Sequence, residues 1–79
     1  MSNVNTRDIV KLNFKVALMD AMNFNYFSDN YDQQEHVIDQ VMEKRLAKMP
    51  DDEIQGFAVA VISGEEIVYN PEKDDFFIA

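Results

Sequence analysis

The chain has 79 residues, 47% of them hydrophobic, with two Gly, two Pro and no Cys. That is about half the usual domain length, which excludes a multidomain enzyme and predicts one small domain over residues 1–79 with a thin stability margin. Fifteen Asp and Glu against seven Lys and Arg leave a net charge of −8, the wrong sign for gripping a phosphate backbone, so no direct nucleic-acid binding is expected.

Six Phe, three Tyr and five Met make the chain too apolar for a charged disordered tail. The lack of Cys removes disulfides and thiolate metal sites and is what a reducing compartment permits. There is no run of 18 apolar residues and no basic-then-apolar start, so a cytoplasmic protein that neither is exported nor spans a membrane is expected.

Residues 6 to 24 form the first apolar segment. Val10, Leu12, Phe14, Val16 and Leu18 alternate with Lys11, Asn13, Lys15 and Ala17 as in a half-buried strand. Against that, Asn5 and Thr6 suit a helix N-cap, Asp8 suits a first turn, and Ala17 to Met22 is rich in helix formers. We adopt the helix, whose apolar residues cover so much of its circumference that it is either central or keeps a face for a partner. Residues 25 to 32 read as a connection, because Asn, Ser and Asp compete locally for backbone hydrogen bonds, with Tyr26, Phe27 and Tyr31 expected against the core.

Residues 32 to 48 give the clearest helix. Val37, Ile38, Val41, Met42 and Leu46 recur at three- and four-residue spacing, acids come first and Lys44, Arg45 and Lys48 last, and Pro50 stops it. Pro50-Asp51-Asp52-Glu53 then opens a third helix with Ile54, Phe57, Ala58, Val61 and Ile62 as its stripe and Gly64 at its end. The rival is a β-hairpin over about 57–69, pairing Phe57 to Ile62 with Ile67 to Tyr69 across Ser63-Gly64-Glu65-Glu66. The predicted fold is therefore mainly α, a single-domain bundle of about three helices with an acidic C-terminal tail, or α+β if the hairpin forms.

Charge is unevenly placed. Residues 1 to 50 hold seven acids and six bases, net −1, whereas residues 51 to 79 hold eight acids and only Lys73, net −7. Asp51, Asp52, Glu53, Glu65, Glu66, Glu72, Asp74 and Asp75 can present carboxylates to a basic groove built for phosphates. The plainer alternative is an acidic face kept for solubility. Phe76 and Phe77, followed by Ile78, either fold back to finish the core or dock into a partner's pocket with acids outside.

Chemistry finds little equipment. His36 is the single His, near Glu35, Asp39 and Glu43, and is poor metal equipment without Cys. The Asp51-Asp52 and Asp74-Asp75 pairs lack the glycine-containing loop of an EF-hand. Ser2, Ser28, Ser63 and Thr6 lie in no nucleophile elbow, and Gly56 and Gly64 make no phosphate loop. No catalytic residue, metal or cofactor is expected, and no enzyme.

Residues 1 to 6, Met-Ser-Asn-Val-Asn-Thr, resemble the start of a small phage protein that inhibits bacterial RNA polymerase. The likeness stops at Arg7 and holds no functional motif, so it implies phage origin and no particular fold, target or binding residue. The leading expectation is an acidic, DNA-mimic-like inhibitor that occupies a basic surface of a host protein. An antitoxin or immunity protein neutralising a basic toxin is the second reading, and a helical homo-oligomeric module is the third.

Overall fold

A computed structural model describes residues 5–23 and 29–79. The elements are α1 (Thr6–Ala21), α2 (Tyr31–Ala47), α3 (Asp51–Ile62), β1 (Ile67–Asn70) and β2 (Asp75–Ile78). The fold is mainly α, three helices and one small antiparallel hairpin.

Local chemistry explains the helix bounds. The Asn5 side chain accepts from the Arg7 N–H at 3.0 Å, supplying the N-cap of α1. Pro50 is the N-cap of α3, with Asp51, Asp52 and Glu53 in the first turn beside the positive end of the helix dipole. At the other end of α3 the Gly64 N–H donates to the Val61 carbonyl at 3.0 Å and the Glu65 N–H to the Ala60 carbonyl at 2.9 Å. These two bonds form a Schellman motif, which requires the left-handed backbone that Gly64 adopts at φ 91°.

A hairpin forms in this chain, one element later than the sequence pattern suggested. Residues 57–62 belong to α3, and Ile67 pairs instead with Ile78, Val68 with Phe77, Tyr69 with Phe76 and Asn70 with Asp75. The connection after β1 carries its own turn signals. Pro71 cannot donate to a ladder, the Asn70 side chain accepts from the Glu72 N–H at 3.0 Å, and Asp74 takes the left-handed region at φ 48°. The tail is thus a strand.

α1 is the central helix, packed by α2, α3 and β1. Val10, Phe14, Met42 and Leu46 are fully buried at the centre, with Ile38, Ile54, Ala58, Ile67 and Phe76 around them. Phe57 meets the Phe14 ring edge-on at 5.0 Å, and Phe76 stacks on it. Three expected core positions lie outside: Val37 and Val41 of α2 are 57% and 48% exposed, and Ile62 at the end of α3 is 70% exposed. The bundle has only one layer of neighbours for each helix, so the edges of each apolar stripe face water. Tyr31 is half-buried against the core, while Tyr26 and Phe27 lie outside the described residues.

Candidate functional site

The acids fall into two classes once the helices are packed. On α1, Arg7, Lys11 and Lys15 recur every four residues and share one face; on α2, Glu35, Asp39 and Glu43 do the same. The antiparallel packing of these helices zips the two rows together. Arg7 lies 3.4 Å from Glu43, Lys11 is 2.7 Å from Glu43 and 3.1 Å from Asp39, and Lys15 is 3.0 Å from Asp39 and bonded to Glu35. The bond to Lys11 holds the Glu43 carboxyl below its ordinary range, and the bonds to Lys15 and Lys11 do the same for Asp39. This ladder was legible as two runs of four-residue spacing, and the sequence reading passed over it by treating Glu35, Asp39 and Glu43 as surroundings of His36. Gln40 Nε2 lies 3.2 Å from His36 Nε2 on the exposed side of α2. Among the described residues there is no group of three or more His, Cys, Asp or Glu that could hold a metal ion.

Asp74 has a structural role of its own. Its carboxylate accepts from Arg45 Nη2 at 2.7 Å and from the Tyr69 hydroxyl at 2.7 Å. These bonds keep the Asp74 carboxyl low and the Tyr69 phenol high. Arg45 also reaches the Asp74 carbonyl at 3.3 Å, and its guanidinium carbon lies 5.1 Å from the centroid of Phe76. One arginine of α2 therefore fastens both the turn and the inner ring of the hairpin.

The other seven acids expected to carry binding make no ion pair among the described residues, and all are exposed. Asp51, Asp52 and Glu53 sit on the first turn of α3. Glu72 and Asp75 flank the hairpin turn, and Asp75 shares a cleft with Glu53, Arg45 and Met49. Glu65 and Glu66 follow the far end of this 12-residue helix, about 18 Å along its axis, where Glu66 borders a depression with Asp20. The expected single acidic surface is thus two groups of carboxylates at opposite ends of α3.

The expected Phe pair is split. Successive residues of a strand face opposite sides, so Phe76 is 5% exposed and belongs to the core, whereas Phe77 is 45% exposed. Phe76 is accordingly withdrawn as a docking residue. Sequence reasoning also missed an exposed patch on α2, where Val41, Lys44, Arg45, Lys48 and Met49 line a depression of about 470 Å³.

The chain matches no family model, no curated protein and no solved structure. Among the described residues no helix is long and apolar enough to cross a membrane.

Proposed function

We propose that the chain is a binding protein without chemistry of its own. It seats the carboxylates of its C-terminal part on a basic, nucleic-acid-binding surface of a bacterial host enzyme and blocks it, as a DNA mimic does. The observation that carries this reading is the sorting of the acids. Glu35, Asp39, Glu43 and Asp74 are neutralised internally by cations, whereas Asp51, Asp52, Glu53, Glu65, Glu66, Glu72 and Asp75 are exposed without an ion pair among the described residues and outnumber the four exposed, unpaired acids of the first half, Asp8, Asp20, Asp29 and Asp32. The group at the start of α3 and the hairpin turn supplies five of these seven, and the host setting is the one that the phage-like first six residues imply.

The test is capture from bacterial lysate on the immobilised protein, beside a D51N/D52N/E53Q/E72Q/D75N variant. Salt is raised from about 0.05 to 0.5 M, which shortens the Debye length from roughly 14 to 4 Å. The expected result is a nucleic-acid-binding protein that high salt and added duplex DNA both release and that the variant fails to hold. Capture of no such protein, or of one that the variant holds equally well, overturns the reading.

A further inference from the structure

Two exposed patches of this chain are converse to each other. On the solvent side of α2 and at its C-cap, Lys44 and Lys48 stand one turn apart and line a depression together with Val41, Arg45 and Met49. Arg7, Lys11, Lys15 and Arg45 all have carboxylate partners, whereas Lys44 and Lys48 make no ion pair among the described residues. On the outer side of the hairpin, Val68 and Phe77 are directly opposed across the strands. Strand alternation places Asp75 on the same side as Phe77, and the chain just before β1 brings Glu66 to the same side as Val68. One patch is an apolar hollow bordered by ammonium groups; the other is a projecting aromatic bordered by carboxylates.

We propose that a second copy of this chain occupies the α2 depression, Phe77 of one copy entering the hollow of the next while Lys44 and Lys48 face the neighbour's Asp75 and Glu66. Charge selects this pairing over a two-fold one. Two hairpin faces brought together oppose carboxylate to carboxylate, and two α2 faces leave four lysines without an anion. The contact joins unlike patches, so every copy retains one free patch of each kind. Association continues into short chains or closes into a ring. A copy engaged in this way covers its own Asp75, while the acids at the start of α3 stay open.

Sedimentation velocity from about 10 µM to 1 mM, the range in which small, partly polar contacts form, tests this. The wild type is expected to gain mass with concentration and to lose that gain in high salt. K44E/K48E and Phe77→Ser are each expected to weaken self-association at least about tenfold; if reversing the charge at the C-terminal end of α2 lowers the melt, K44Q/K48Q takes the place of K44E/K48E. If Phe77→Ser lowers the melt, Val68→Ser takes its place. Mixing K44E/K48E with the hairpin variant is the deciding arm, because each has one working patch. The mixture should give a 1:1 dimer and nothing larger. A monomeric wild type, variants that associate like the wild type, or a mixture that stays monomeric overturns the proposal.

Discussion

The rings of Phe14 and Phe76 lie face to face, with centroids 4.0 Å apart and planes 2° from parallel. The last strand thereby closes the core on the central helix, and Tyr69 adds a third ring at 4.9 Å from Phe76. Removing Phe76 strips a buried aromatic from a domain with little reserve, so Phe76→Ala should cost about 3 to 5 kcal/mol in urea denaturation. Phe77→Ala, one residue on and facing water, should cost well under about 1 kcal/mol in dilute protein. Equal losses at the two positions would mean that the hairpin face is reversed.

Lys15 has the most sheltered cation of the α1–α2 ladder, its side chain 14% exposed. A double-mutant cycle with Lys15→Met and Asp39→Asn should return a coupling of about 0.5 to 1 kcal/mol, the upper part of the range for ion pairs near a surface. Asp29 and Asp32, exposed and outside the ladder, are the proper neutral controls in any binding assay. Asp39 is not, because its loss disturbs helix packing. A coupling of zero would leave the ladder without energetic content.

The same ladder sets a pH profile. Asp39 and Glu43 titrate below their ordinary values of 3.8 and 4.5 in the folded protein, through the bonds from Lys15 and Lys11. The stability they contribute is present above those values and is lost as pH falls through and below them. Lys11 is raised above 10.5, first by the bond it donates to Glu43; for Lys15 burial pulls down and the bonds it donates to Glu35 and Asp39 outweigh it. Their contribution is present below pH 10.5 and lost as pH rises beyond it. Chemical denaturation should show a plateau between about pH 5 and 10 with a fall on either side. The K11M/K15M variant should show a shallower fall on both sides, and an unchanged profile would remove the ladder as its cause.

The two glycines should respond with opposite signs. Gly56 lies within α3, and a methyl group added there meets nothing within 4 Å. Gly56→Ala should therefore stabilise by about 0.5 to 1 kcal/mol, since alanine is the better helix former. Gly64 holds the left-handed backbone of the Schellman motif, so Gly64→Ala should destabilise by about 1 kcal/mol although space is free. Thermal melts of the two variants read the signs directly.

Much of this fold was legible in the sequence because its punctuation is strong. Asn5, Pro50, the acids after Pro50 and Gly64 mark helix ends within a few residues of where they fall. The strand-forming Val59 and Val61 pointed to a hairpin over 57–69, but the cap at Pro50 and the first-turn acids commit that segment to helix. Asn70-Pro71 is a turn signal that the sequence reading left unused, and the short strands beside it were too brief for a period to stand out. Which carboxylates stay unpaired was not legible in the same way. It depends on how α1 registers against α2 and on Arg45 reaching Asp74, contacts between residues far apart in sequence.

The stacking of Phe76 on Phe14 joins residues separated by most of the chain. Closing so long a loop is slow beside the formation of three helices from local contacts. During refolding α1, α2 and α3 can assemble first, leaving Phe14 with one face open to water until the hairpin docks. Docking of β2 then becomes the last committed event, and Arg45 is already waiting at the rim to catch the turn through Asp74. A chain whose hairpin has not yet docked exposes an apolar slot on its central helix, the state in which this protein is most open to chaperones and to misassociation.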